Sequence, residues 1–249
     1  MKIIGSDYDG TLNHNGIDEA KKQKLQLWRS KGNVFALISG RFREDVIELY
    51  NRQQFPCDFL IADNGAVIMK TDGTVVSHTR CNGSLAAPLI KSLLGWGCPW
   101  AKADTDFCCK VYAEKSEREA ETDFTIATMP EVPYFNQVST ALPDFETAAR
   151  VTRLIDEHFG KSLKALQNGT CIDIVRADMN KAQGLRILAD YLGADCSDII
   201  AVGDNINDSD MIREFRSYAM ENGVDSIKAL ADFITPGVGE LIEKELSLA

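Results

Sequence analysis

The stretch that decides the fold is KIIGS, residues 2–6, followed at once by DYDGTL, residues 7–12. The apolar run predicts a short buried strand, and it places Asp7 and Asp9 at the carboxyl end of that strand. Open α/β sheets bind their ligands at this edge. We therefore expect an α/β fold with an acidic site where the first strand ends.

Outside one long segment, strand and helix patterns alternate along the whole chain. This alternation predicts a Rossmann-like, doubly wound core built on a parallel sheet. Predicted helices cover residues 18–31, 43–52, 181–192, 208–214 and 224–231, and predicted strands cover 34–38, 59–61 and 199–202, with a hairpin at 66–69 and 74–77.

Between residues 82 and 178 the alternation loses its regular spacing, and five prolines interrupt short segments. We interpret this segment as an inserted α/β domain, so that the core consists of residues 1–81 and 179–249. Within the insert the pattern predicts helices at 84–95 and 145–158 and strands at 107–113, 134–138 and 171–175. Asn168 and Gly169 are typical of a hairpin turn.

Composition limits the classes of partner. The net charge of −10 over 249 residues argues against nucleic acid, since no block of Lys or Arg offsets it. The seven cysteines lack paired spacings, so we expect reduced thiols in the core. No apolar run is long enough for a bilayer, and Asp7 and Asp9 fall where a signal peptide needs apolar residues. We expect no membrane association and a cytoplasmic protein; its oligomeric state stays open.

Alternate residues of an extended chain point the same way, so Asp7 and Asp9 are expected to face one site. One carboxylate can then attack phosphorus while the other moves protons to the leaving oxygen and from water. An Asp-x-Asp pair after a strand is, however, also an ordinary helix cap.

Two further positions suit a phosphate. Ser39 ends the second strand, where its hydroxyl and the N–H of Gly40 can bind a phosphate oxygen. Lys181 begins a helix directly after the insert and can neutralise a phosphoryl group and Asp7. Taken alone, an ordinary helix cap and a solvated surface lysine are the more common explanations of these residues.

The segment GDNIND, residues 203–208, follows the apolar strand 199–202. Mg²⁺ prefers a few carboxylates together with water, and Asp204 and Asp7 supply two of them. Asn207 and Asp208 can orient the bound water. Oxygen ligands suit Mn²⁺ as well, so the choice between the two ions stays open.

In order and spacing the chain resembles the haloacid dehalogenase superfamily, in its Cof-type branch of small-molecule phosphatases. The matching segments are DYDGTL at 7–12, ISGR at 38–41, NGA at 64–66, NKAQGL at 180–185 and GDNINDSDM at 203–211. Ala219–Asn222 resembles the closing segment of that family.

The resemblance implies a role for each matching residue. Asp7 would be the nucleophile and a Mg²⁺ ligand, and Asp9 the general acid/base with its carbonyl on the metal. Asp204 would be the third protein ligand, and Asp208 would support the metal directly or through water. Ser39, Lys181 and Asn207 would hold the phosphoryl oxygens. The insert would be a cap that selects the substrate, a small phosphate ester such as a sugar phosphate.

Two alternatives remain open. A phosphosugar mutase keeps both acids and returns the phosphate to its product, and an idle phosphate-binding regulator would bind without turnover. Arg41 can reach a substrate, but we expect it to pair with Glu44 or Asp45.

Overall fold

The computed structural model describes residues 1–105, 108–112 and 123–248. It divides the chain into two units: Met1–Ser77 with Asn180–Ala249, and His78–Met179. The second unit is thus inserted into the first. The assignment of residues 82–178 as a cap domain stays a prediction.

The first segment of the chain forms five strands and two helices, which agree with the predicted elements to within two residues. These are β1 (Ile3–Asp7), α1 (Glu19–Ser30), β2 (Val34–Ile38), α2 (Arg43–Gln53), β3 (Phe59–Ala62), β4 (Val67–Lys70) and β5 (Val75–His78). The carboxylate of Asp18 caps α1 by accepting the N–H of Lys21 at 2.8 Å.

The inserted unit contains more strands than the pattern predicts. Its elements are β6 (Cys81–Asn82), α3 (Ala86–Gly95), β7 (Trp100–Asp104), β8 (Cys108–Tyr112), β9 (Phe124–Thr125), β10 (Tyr134–Phe135), β11 (Gln137–Ala141), α4 (Phe145–Phe159), β12 (Leu163–Asn168) and β13 (Cys171–Arg176). Strands β6, β7, β9 and β12 were not predicted, and the ends of the predicted strand 107–113 lie outside the described residues. The turn predicted at Asn168–Gly169 joins β12 to β13 and is confirmed.

The single strand predicted at 134–138 is wrong, because the chain changes partner at Asn136. Strand β10 pairs with β6, whereas β11 pairs with β7. The buried amide of Asn136 donates to Asp104 Oδ2 at 2.8 Å, and its backbone N–H donates to the Asp104 carbonyl at 2.8 Å. These bonds hold the interruption in place.

The last segment returns to the first unit. Its elements are α5 (Lys181–Leu192), β14 (Ile199–Gly203), α6 (Ser209–Glu214), β15 (Arg216–Met220), α7 (Asp225–Lys228), β16 (Phe233–Thr235) and α8 (Val238–Ser247). Helix α7 is shorter than predicted, and β15, β16 and α8 were not predicted.

The sheet of the first unit has the order β16-β15-β14-β1-β2-β3-β4-β5, and all pairs from β16 to β3 are parallel. Neighbouring residues of β1 face opposite ways: Ile4 packs with α1, α2 and α8, and Ile3 packs with α5, α6 and α7. Helices therefore cover both faces, and the predicted doubly wound α/β class is confirmed. Strands β14, β1 and β2 are adjacent, so their carboxyl ends meet at one edge.

The second unit has a six-stranded sheet of order β12-β13-β11-β7-β8-β9. Helices α3 and α4 pack with alternate residues of these strands, such as Ala101, Ala103, Val138 and Ile174. The intervening residues of each strand therefore form the opposite face of the sheet. No described helix in either unit is long and apolar enough to cross a bilayer. None of the cysteines whose side chains are described forms a disulfide, but the expected core position is wrong for Cys171 and Cys196, which are exposed.

Candidate active site

Asp7 is the last residue of β1 and is buried, and the extended backbone ends there. Residues 8–12 form a tight turn in which Gly10 has a φ of +81°. A Cβ at Gly10 would lie 2.4 Å from Asp204 Oδ2, so only glycine allows the turn to approach the end of β14. The turn therefore brings the first acidic motif against Asp204.

Asp204 and Asp208 follow β14. Asp204 Oδ1 accepts a hydrogen bond from the Thr11 hydroxyl at 2.6 Å, which ties the two acidic turns together. Asp208 is fully buried, and its Oδ2 accepts the backbone N–H groups of Asp204 and Asn205 at 3.0 and 3.1 Å. One carboxylate oxygen from each of Asp7, Asp204 and Asp208 lies within 4.8 Å of the others.

Lys181 begins α5 with its side chain fully buried. Its Nζ donates to Asp7 Oδ1 at 2.6 Å and to Asp208 Oδ1 at 2.5 Å. The position of the helix is fixed locally, since Asn180 Oδ1 caps it at the N–H of Gln183 and a Cβ at Gly184 would lie 2.6 Å from Gly65 Cα. The structure thus places this lysine between two acids of the site rather than on the surface.

The electrostatics of this cluster favour a bound cation. Burial raises the pKa of Asp7, and Asp208 and Asp204 raise it further, whereas Lys181 lowers it. Burial lowers the pKa of Lys181, but Asp208 and Asp7 outweigh it and the net shift is upward. Three carboxylates and one ammonium leave a charge of −2 when all are ionised. An all-oxygen donor set of this charge fits a hard divalent ion such as Mg²⁺.

Asp9 lies outside that cluster of three acids. Its two oxygens accept from Nε and Nη2 of Arg41, both at 2.8 Å, in a two-point ion pair. The two side chains are 56% and 43% exposed, in contrast to the buried Asp7. The expectation that Arg41 pairs with Glu44 or Asp45 is therefore wrong: the chain brings the end of β2 next to the turn after β1.

Ser39 follows β2 and is buried. Its Oγ accepts the backbone N–H of Arg41 at 3.2 Å, while Gly40 is half-buried between them. Asn207 is half-buried in the turn that precedes α6. All predicted site residues thus lie at the carboxyl ends of β1, β2 and β14 or at the start of α5.

The sequence did not predict the contacts of three residues, Thr11, Asp63 and Asn64. Thr11 bonds Asp204, and the signal for it was its place within DYDGTL. Asp63 and Asn64, both with φ of +52°, form a left-handed turn whose N–H groups donate to the carbonyls of Arg41 and Ser39 at 3.0 and 3.1 Å. The pattern NGA at 64–66 indicates such a turn, but not its contact with the segment after β2.

Comparisons with known proteins show what the chain is similar to. The sequence profile of haloacid dehalogenase-like hydrolases matches residues 4–240. The chain is 24% identical to the 5-amino-6-(5-phospho-D-ribitylamino)uracil phosphatase YwtE of Bacillus subtilis, over 99% of each chain. It is 25% identical to a phosphatase of the same name, YbjI of Escherichia coli, over 99% of this chain and 96% of the relative.

A solved structure of a haloacid dehalogenase-like hydrolase from B. subtilis superposes with a TM-score of 0.82 at 19% identity. The superposition covers 98% of this chain and 99% of the other. At this identity the likeness establishes the fold.

Proposed function

This chain belongs to the haloacid dehalogenase-like hydrolase family, and we propose that it is a magnesium-dependent phosphatase for small phosphorylated metabolites such as sugar phosphates. The predicted class of enzyme, a phosphoric monoester hydrolase, is confirmed by the named activities of its curated relatives. The metal, the aspartyl-phosphate intermediate and the substrate are our proposal.

The observation that carries the proposal is the buried Lys181 between Asp7 and Asp208. Removing an ammonium and two carboxylates from water is costly, and an apolar cluster of the same volume is often at least as stable. Such an arrangement is therefore favoured for chemistry rather than for stability. A phosphoryl group brings further negative charge, which the ammonium can neutralise.

In the first half of the proposed reaction, one oxygen of Asp7 attacks phosphorus. The new O–P bond replaces the bond between phosphorus and the leaving oxygen, and Asp9 gives its proton to that oxygen. Lys181, Ser39 and the N–H of Gly40 hold the phosphoryl oxygens, and Asn207 assists them. The product alcohol leaves, and phosphate stays on Asp7.

In the second half, Asp9 removes a proton from water, whose oxygen then attacks phosphorus. The bond between Asp7 and phosphorus breaks, so inorganic phosphate leaves and the carboxylate of Asp7 is restored. Asp9 ends the cycle protonated, as it began, so its ion pair with Arg41 must open during turnover. The exposure of both side chains to solvent suits a contact that opens.

Asp7, Asp204, Asp208 and the backbone carbonyl of Asp9 would hold Mg²⁺. When bound, the ion would screen the charge of the phosphoryl group and of the attacking carboxylate. The three-carboxylate cluster supports this assignment.

We also propose that residues 82–178 form a cap that selects the substrate. Support comes from the insertion of the second unit within the first and from the sheet face that α3 and α4 leave uncovered. On that face Lys110 Nζ lies 4.9 Å from the ring centre of Trp100, and the Ser139 hydroxyl donates to Asp173 Oδ1 at 2.6 Å. Aromatic, cationic and hydroxyl groups of this kind suit a polar metabolite.

The test is phosphate release from a panel of sugar phosphates, nucleotides, p-nitrophenyl phosphate and 5-amino-6-(5-phospho-D-ribitylamino)uracil, with Mg²⁺ and with chelator. We expect metal-dependent release from the wild type. Phosphate that moves to a second position on a sugar without release would indicate a mutase. Binding of phosphate analogues without any turnover would indicate a regulator and would reject the proposal.

A further inference from the structure

Residues 221–224 form a turn between β15 and α7 that contacts the backbone of both acidic turns. Asn222 Nδ2 donates to the carbonyl oxygen of Gly10 at 2.9 Å. Two residues later, the N–H of Val224 donates to the carbonyl oxygen of Asp204 at 2.9 Å. One short segment thus bonds the loop after β1 and the loop after β14.

Gly223 lets this segment approach closely. A Cβ at Gly223 would lie 3.0 Å from the carbonyl oxygen of Asp204 and 3.1 Å from its Cα. A side chain there would require the turn and Asp204 to move apart by a few tenths of an ångström, so glycine suits the two bonds.

The turn is itself held rigidly. The N–H of Glu221 donates to the carbonyl of Thr235 in β16 at 2.9 Å, and the N–H of Gly223 donates to the carbonyl of Met220 at 2.9 Å. The N–H of Ile227 in α7 then donates to the carbonyl oxygen of Val224 at 3.0 Å. Because a strand and a helix anchor it, the turn can fix the position of what it contacts.

We infer that Asn222 is a positioning residue for the proposed metal site, an inference that rests on the proposed function. By holding the Gly10 carbonyl, Asn222 fixes the residue that follows Asp9. The backbone carbonyl of Asp9 would itself bind the ion. Val224 fixes Asp204 from the same turn, so the separation of the two acidic turns is set from outside the cluster. Residues that orient metal ligands in this way contribute strongly to metal affinity.

The test is calorimetric titration of Mg²⁺ into the metal-free full-length chain, without substrate. Asn222→Ala removes the bond to Gly10, and we expect it to weaken Mg²⁺ binding about tenfold. Asn222→Gln retains an amide donor and should recover part of the affinity. Asn33→Ala is the matched control, since Asn33 Oδ1 accepts one backbone hydrogen bond, from Lys2 at 2.9 Å, at the start of the neighbouring strands.

Thermal unfolding of the metal-free variants separates positioning from stability. We expect Asn222→Ala and Asn33→Ala to lower the midpoint by similar amounts, while only Asn222→Ala weakens Mg²⁺ binding. Equal affinity of Asn222→Ala and wild type would overturn the inference and leave the proposed function standing. Equal weakening by Asn33→Ala would also overturn it, and a wild type that binds no Mg²⁺ would reject the metal site together with the inference.

Discussion

The two units differ in how deeply they bury their polar side chains. In the first unit Lys181 and Asp208 are buried, and with Asp7 they are joined by the short bonds of one cluster. In the second unit Trp100, Lys110 and Asp173 are only half-buried, on the sheet face that α3 and α4 leave uncovered. The sheets themselves do not explain this difference, because in both units apolar residues of the sheet pack against helices.

The two regions should differ in how they respond to substitution. A buried charge that loses its partner is left without water and without compensation, so substitutions there are severe. Half-buried side chains keep contact with water, so they can be exchanged with small effects on stability. We therefore expect the chemistry to depend on the first region and the choice of substrate to depend on the second.

The largest effect should come from Asp7→Asn, which removes the proposed nucleophile at almost constant volume. We expect turnover to fall by at least about 10⁴-fold, the scale seen when a covalent nucleophile is lost. Initial rates of phosphate release measure this, and circular dichroism checks the fold. Substantial residual activity in a folded, pure variant would mean that the buried cluster is not the chemical site.

Lys181→Met tests how much the buried ammonium stabilises the two acids that it contacts. It leaves the buried acids Asp7 and Asp208 facing each other without the ammonium, so the free energy of unfolding should fall by about 3–5 kcal/mol in metal-free buffer. Urea denaturation measures the loss. Lys24→Met is the control, because its partners Glu240 and Glu243 are exposed and such pairs contribute below about 1 kcal/mol. Equal losses would show that burial does not distinguish these ion pairs.

Asp173→Asn addresses the second region. The substitution preserves size but changes a carboxylate that accepts from Ser139, so the ratio of kcat/KM between a sugar phosphate and p-nitrophenyl phosphate should change about tenfold. The control Asp144→Asn alters the cap of α4, where Asp144 accepts the N–H of Thr147 at 2.7 Å on the other side of the sheet. It should lower stability and leave the ratio unchanged. A change of ratio in the control alone would contradict the assignment of the uncovered face.

The same contrast explains how much the sequence could predict. In the first unit strands β2 and β14 are uniformly apolar, as VFALI and IIAVG, and the polar residues gather at their ends, so these strands and the site could be located. Strand β15, RSYAM, begins with polar residues and was missed. In the second unit WAKAD of β7 and LKALQN of β12 mix polar and apolar positions, because α3 and α4 pack against one face of that sheet. Such short mixed runs resemble loops, and these strands were missed.

Contacts between distant segments were predictable only in part. The acids could be placed at strand ends from their neighbours, but the partner of Arg41 depends on how closely β1 and β2 approach, which the local pattern does not contain. Local pattern favours Glu44 and Asp45 because they are near in sequence, whereas the fold brings Asp9 nearer.

The smallest effect should come from Arg41→Gln, and it sharpens the comparison within the first unit. The pair of Arg41 with Asp9 has the same charges and a similar distance as that of Lys181 with Asp7, but it is 43% and 56% exposed rather than 0% and 9%. Solvent screens exposed pairs, so the free energy of unfolding should fall by less than about 1 kcal/mol. Arg29→Gln, whose pair with Asp58 is 32% and 24% exposed, should lose more than Arg41→Gln and less than Lys181→Met. Urea denaturation of the three variants measures the order. Any other order would mean that geometry rather than exposure determines how much these pairs contribute to the free energy of unfolding. The two-point bond of Arg41 with Asp9 would then stabilise the fold and would not be a contact that can open during turnover.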